Sequence, residues 1–332
     1  MHFRTGVIAA FAFAFPALAD QPVLRYIPKH EELKYTFGGV APTHHIAPGT
    51  RIITWTEDCY DGSVTSPEQI PSKVGEPGHD NPQTGPFFID GAEPGDTLAI
   101  HIEKLEPARD HGISSSFPGF GALSGTDRTA ILGPDLPEKV WFYTVDKTKG
   151  VARTKSLDGR SSWEVPLAPF LGCLGVSPGQ EVRSTIVPDF FGGNMDCPEV
   201  RAGNTVYLGV RVPGALLSFG DGHALQGDGE VTVTALETSL RGTVQIFVRK
   251  GKQIRWPRAE TPTHFIAMGL HPDLDEAARM ATREMIDFLV SEKGMSRDDA
   301  YILCSLAVDL RVTQLVDDTK GIHAMLPKSI VH

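Results

Sequence analysis

Residues 220–231 read GDGHALQGDGEV, which sets three carboxylates and one imidazole among four glycines. Asp221 and His223 stand two apart. An extended backbone turns them to one face, and the glycines permit other geometries that also bring them together. A neutral imidazole beside a carboxylate is a mixed N/O donor set that suits zinc or a similar divalent ion; calcium prefers oxygen alone, and the spacing is not that of an EF-hand loop. Glu230 enters the run VTVTAL, in which alternation turns Val231, Val233 and Ala235 inward and the glutamate to the other face. It is a metal ligand, a general base for water, or a solvated glutamate at a strand start. Asp221, His223, Asp228 and Glu230 within ten residues weigh toward a functional site.

A second candidate is GGNMD, where Asn194 and Asp196 stand two apart after Gly192 and Gly193. One amide and one carboxylate could enter a site together, but Asn and Asp beside paired glycines are also ordinary turn chemistry. Asp58 closes the alternating stretch IITWTED, while His44, His45 and His101 are weaker candidates. The chain has no G-x-S-x-G elbow, no H-E-x-x-H, no P-loop and no strand-borne G-x-G-x-x-G. Cys59, Cys173, Cys197 and Cys304 lie far apart without a C-x-x-C pair, so a zinc ribbon has no support and disulfide pairing stays open.

Short strands must carry these residues. In DTLAIHIEKL, Leu98, Ile100 and Ile102 alternate with polar or small neighbours, and in NTVYLGVRV, Val206, Leu208, Val210 and Val212 do the same. The 34 glycines and 25 prolines suit many strands joined by turns. Helix is expected only late. Leu274, Ala278, Ala281, Met285 and Phe288 recur at spacings of three and four, with Asp273 and Glu276 as a start and Gly294 as a stop. A second helix is expected from Ser296, burying Ala300, Leu303, Ala307 and Leu310. The result is a β-rich body with a late helical pair. The turn-rich stretch 62–86 either covers a site or joins two strands.

The first 19 residues have the form of a signal peptide: Arg4, an apolar run, then Ala17-Leu18-Ala19. The expectation is export to the periplasm or medium as one domain over 20–332, with no membrane insertion after cleavage, because the apolar run is shorter than the roughly 20 residues a spanning helix needs. A net charge of −10 without a basic block argues against nucleic acid and anionic membrane surfaces.

The stretches NPQTGPFFIDGAEPGDTLAIHI, PFLGCLGVSP, GGNMDCPEVRAGNTVYLGVRVPGALLSFGDGHALQGDGEV and LCSLAVDLRVTQLVD, in that order, resemble the acetamidase/formamidase family. The resemblance implies a mainly β fold, a β-sandwich (jelly-roll-like) body with α/β additions, and a homo-oligomer. It also implies hydrolysis of a small linear amide to carboxylate and ammonia with a divalent metal, usually zinc. Carried onto matching positions, it marks Asn194 and Asp196, Asp221 and His223, Gln226 and Glu230, with Asp58 matching less closely, and leaves open which acids ligate and which move protons. The expectation taken from here is Asp196, Asp221 and His223, with Asp58, around the metal, Glu230 moving the proton, and Asn194 or Gln226 donating to the oxyanion. THHIAPG stands where formamidase-like members have a tryptophan-bearing stretch, which leaves the preference for formamide open. The competing expectations are a non-catalytic exported protein binding a metal or small ligand, and a hydrolase of lactams or larger amides.

Overall fold

The computed structural model describes residues 21–124 and 137–331. The expected signal peptide lies outside them. Two large open sheets, one of nine and one of ten strands, form the body, with a small two-stranded sheet beside them. The nine-stranded sheet centres on Thr97–Pro107, paired antiparallel to Leu240–Arg249 on one side and Thr205–Gly209 on the other. Leu98, Ile100, Ile102, Val206 and Leu208 are fully buried, as their alternation requires. They share one apolar core with Phe87, Leu171, Leu174 and Phe219 from the ten-stranded sheet, so the two sheets pack as a sandwich.

The helical pair follows as expected. Asp273 caps Leu274–Lys293 by accepting from the Glu276 backbone N–H, and Gly294 ends that helix at φ +70°. Ser296 caps Arg297–Ala307 in the same way. Ala281, Met285, Leu289, Ala300 and Cys304 pack on the strands His264–His271 and Lys320–Pro327, a helix layer outside the nine-stranded sheet. The expected second helix stops short of Leu310, which lies in the strand Asp309–Gln314 and is exposed. No helix of the described residues is long and apolar enough to cross a membrane. All four cysteines are free thiols.

The site rests on the ten-stranded sheet. Leu217–Leu225 lies between Phe170–Gly175 and, on its other edge, Gln83–Ile89 and Leu236–Glu237. Gly192–Asn194 extends the sheet beyond Phe170–Gly175. The run VTVTAL is not the strand its alternation suggests: pairing is confined to Leu236–Glu237, Val231 is exposed and Val233 has φ +76°. A turn around Glu230 consumes the residues that would have formed the strand.

Glycines 220 and 222 serve close approach. A Cβ at Gly222 would collide with the Thr238 carbonyl oxygen and meet Leu240 Cγ at 2.7 Å, whereas one at Gly227 would meet nothing within 4 Å. Gly222→Ala should therefore cost about 1–3 kcal/mol in urea unfolding, as overpacked cores do, and Gly227→Ala less than about 0.5 kcal/mol. Equal costs would contradict this account of the strand.

Candidate functional site

Five carboxylates and one imidazole converge in one cavity: Asp196, Asp221, Glu230, Glu237, Asp317 and His223. All are buried, and all line one cavity of about 380 Å³. His223 Nε2 lies 3.2 Å from Asp221 Oδ2, 3.2 Å from Glu237 Oε2 and 3.9 Å from Asp196 Oδ1. Asp196, Asp221 and His223 offer ligand atoms within 4.8 Å of one another, and so do His223, Glu230 and Glu237, and Asp196, Glu230 and Asp317.

The backbone gathers them by an unusual route. Asp196, Asp221 and Glu230 have φ of +47°, +55° and +43°, a region that side chains other than Asn and Asp seldom enter. Of the four glycines in 220–231, only Gly229 has positive φ. The acids thus carry the left-handed turns that the glycines were expected to supply, at a cost of about 1–3 kcal/mol each that the surrounding structure must hold in place. Gly229 donates to the Thr313 carbonyl and accepts from Leu315 N–H, fixing the turn that aims Glu230. Gln314 Oε1 accepts from the Asp317 N–H at 3.2 Å and so sets the fifth acid from the same segment.

Gly172 is the floor. It lies between the strand that carries Asp221 and the strand Gly192–Asn194, just beyond which Asp196 stands, and a Cβ there would stand 2.8 Å from both Asp196 Oδ1 and His223 Nε2 and nearer still to Asp221 Oδ2. The space those three atoms enclose exists because residue 172 has no side chain.

The pocket is electrostatically unbalanced. Burial first, then the neighbouring Asp221, pushes Asp196 up to about 6, and burial pushes Glu237 up to about 7. Glu230 and Asp317 are raised well above the carboxylate range by burial and by Asp196. Burial alone would lower the His223 pKa, but Asp221 and Glu237 outweigh it and hold it well above the usual imidazole value. Both oxygens of Asp196 and Oδ1 of Asp221 are buried without a hydrogen-bond donor among the described residues.

Those orphaned oxygens fit a cation. Gln226 Nε2 donates to the Asp196 carbonyl at 2.8 Å, which leaves its Oε1 facing His223 Nδ1 at 3.0 Å. The Nδ1 proton then points at Gln226, and the Nε2 lone pair of the neutral ring faces three carboxylates, an arrangement that needs a proton or a metal ion between them. Shared protons on Glu230 and Asp317 could relieve Asp196, but a dication would relieve all three ligands at once.

Each expected site residue has a definite place. Asp196, Asp221, His223 and Glu230 meet in the cavity. Asn194 also lines it, with Nδ2 donating to Asp317 Oδ2 at 3.1 Å. Gln226 does not reach the cavity; it orients His223 and Asp196 from behind. Asp58 is also apart from the cluster, because Arg109 binds both it and Glu57, and the Tyr60 and Gly62 N–H groups donate to its Oδ1. Asp228 points outward to Arg311. His44 packs on Tyr26, His45 stacks on Phe88, and His101 contacts Thr205. Glu237, Asp317 and the half-buried Cys59 were not singled out from the sequence. Each lies far along the chain from the glycine-rich segment or next to it without a distinctive spacing, and only strand pairing, such as His223 opposite Glu237, brings them in. The stretch 62–86 does border the cavity, through Pro71, Ser72, Glu76, His79 and Asn81 among others.

A two-sheet sandwich with a cavity of buried acids around an imidazole defines a β-rich protein with a polar, enclosed site. The model of the acetamidase/formamidase family matches residues 176–332. An acetamidase from Yersinia enterocolitica is 36% identical and superposes with a TM-score of 0.86 over 95% of this chain and 94% of its own. One from Bacillus halodurans is 30% identical with a TM-score of 0.82, covering 92% of this chain and 98% of its own. The formamidase of Methylophilus methylotrophus is 26% identical over 189 residues, 45% of this chain and 46% of that protein. The chain belongs to the acetamidase/formamidase family, and its alignments span about half the length of the curated relatives it matches.

Gly172→Ala tests the floor. Its backbone is not in the left-handed region, so the added methyl group should act on Asp196 Oδ1, Asp221 Oδ2 and His223 Nε2 and not on the turn. The variant should fold, with an unchanged circular dichroism spectrum, yet bind zinc at least tenfold more weakly in a calorimetric titration. Wild-type affinity would show that ions do not sit against residue 172.

Proposed function

We propose that this protein hydrolyses the C–N bond of small linear amides, giving a carboxylate and ammonia, with one divalent ion, zinc first among them, held by Asp196, Asp221 and His223. The observation that carries the reading is that Asp196 Oδ1, buried without a donor, and Asp221 Oδ2 face His223 Nε2 over the Gly172 floor, while Asp196 Oδ2 and Asp221 Oδ1 are also buried without a donor. Such an ion, when bound, activates water and polarises the amide carbonyl.

The protein's own groups supply the rest. Glu230 lines the cavity beside Asp196 and His223 and, ionised once a cation balances the neighbouring acids, is placed to take the proton of the attacking water and deliver it to the amide nitrogen, which must be protonated to leave as ammonia. Water contributes its oxygen to the new carboxyl group; one of its hydrogens goes to the departing nitrogen to give ammonia, and the other is released when the acid ionises to the carboxylate and is taken up as ammonium, so atoms and charge balance. Asn194 stands at the cavity wall as a donor for the developing oxyanion. Gln226, by its contacts, holds the imidazole and the Asp196 backbone in register.

The cavity favours amides with some acyl chain. Beside the acids it is lined by Tyr60, Phe117, Phe120 and Ile186, an apolar wall that formamide cannot use. Each buried methylene is worth about 0.8 kcal/mol, roughly fourfold in kcat/KM. Export and self-association remain part of the reading; the signal-like first 19 residues support the former and the family resemblance the latter.

The test is ammonia release from formamide, acetamide, propionamide and butyramide, before and after chelation and zinc return. Release should rise along the series, vanish on chelation and return with zinc. Glu230→Gln should keep its ion while turnover falls by about 10² or more. A folded, zinc-loaded chain that releases no ammonia from any of them would favour the binding-protein reading, and turnover of lactams alone would move the bond.

A further inference from the structure

A second group of metal-type side chains lies away from the cavity. Cys197, Glu199 and His323 are each more than nine-tenths buried, and their ligand atoms lie within 4.8 Å of one another. Cys197 and Glu199 follow Asp196 in the turn before Thr205–Gly209, while His323 comes from the strand Lys320–Pro327. Nothing in the proposed amide chemistry uses them.

Their polar atoms are unspent. Glu199 Oε2 and His323 Nε2 are buried without a hydrogen-bond partner among the described residues, and they face one another at 4.0 Å. That is too long for a hydrogen bond; two ligands about 2.1 Å from one tetrahedral ion stand about 3.4 Å apart, so a closing shift of roughly half an ångström seats a cation between them. The other imidazole nitrogen, Nδ1, is held by Thr313 Oγ1 at 2.8 Å, the outer contact that commonly fixes the ring of a metal-bound histidine. The Glu199 backbone N–H points at the Cys197 sulfur, as N–H groups do toward bound thiolates.

Charge also favours a cation. Arg311 contacts Glu199 Oε1 at 3.1 Å but spends its other nitrogens on Asp228, at 2.7 and 2.9 Å. One guanidinium thus faces two carboxylates, and a dication with a Cys197 thiolate brings the group to neutrality. We infer that Cys197, Glu199 and His323 form a second divalent-cation site, matched to zinc by its S, O and N donors. The site ties the turn that follows Asp196 to the hairpin whose Thr313 carbonyl holds Gly229 and whose Gln314 sets Asp317. It braces the first site from behind and does not depend on what that site hydrolyses.

The decisive experiment uses the full chain, loaded with zinc and freed of excess, with zinc per chain measured by plasma mass spectrometry. A parallel sample is loaded with cobalt(II), whose bond to a thiolate gives a near-ultraviolet charge-transfer band. Cys197→Ala should hold one equivalent less than the unaltered chain and lose the band, while Cys59→Ala, beside the cavity, should keep both. Cys197→Ser serves if the alanine variant does not fold, and in urea just below the unfolding midpoint, where the buried thiol is transiently reachable, zinc should slow alkylation of Cys197 in the unaltered chain, read by peptide mass spectrometry. Unchanged stoichiometry in the Cys197 variants, a band lost only with Cys59, or alkylation in that urea indifferent to zinc would each overturn the inference. The amidase reading can fail without touching these readouts, and they can fail without touching it.

Discussion

Five carboxylates crowded around one imidazole, away from water, cannot all keep their charge. At the separations found here, unit charges repel by about 4 kcal/mol even at an effective dielectric near 20, and burial adds a desolvation cost for each. One protonated histidine cannot balance that many acids, so the pocket must hold extra protons or a cation. A dication resolves both problems at once, replacing repulsion by attraction and giving the donorless oxygens of Asp196 and Asp221 a partner. By linkage, whatever binds there also stabilises the folded chain.

The sandwich makes such crowding tolerable by rigidity. Asp221 and His223 sit on a strand flanked on both edges, and Asp196 enters from just past the end of the next strand but one, across the bare floor at Gly172. Glu230 and Asp317 are aimed by one segment, 313–317, which bonds the backbone at Gly229 and the N–H of Asp317. The three positive-φ acids belong to the same design. A backbone conformation that is costly for Glu persists because strand pairing and these turn bonds leave no alternative, and it puts a carboxylate where an ordinary strand would have pointed it away.

The local sequence carried part of this. Alternation exposed the buried strands Thr97–Pro107 and Thr205–Gly209, and spacing with capping residues gave both helices, since each of these signals is confined to a few adjacent residues. The glycine-rich segment and GGNMD supplied four residues that the fold unites. What stayed hidden depends on pairing across the chain: Glu237 enters opposite His223, and Asp317 through a hairpin near the C-terminal end. Asp58 misled because the end of a strand is where site residues often stand, and the Arg109 that neutralises it is fifty-one positions away. VTVTAL misled because its period was intact while the turn bonds at Gly229 and Glu230 claimed the backbone.

The central claim is that the carboxylate cluster is a cation site with Asp196, Asp221 and His223 as its ligands. The most direct measurement is a crystal structure of the zinc-loaded chain with anomalous data collected on both sides of the zinc edge. The account predicts an edge-dependent peak about 2.0–2.2 Å from His223 Nε2 and from one oxygen each of Asp196 and Asp221, over Gly172. A well-ordered cavity with no such peak, its acids joined by short carboxyl–carboxylate contacts, would contradict it.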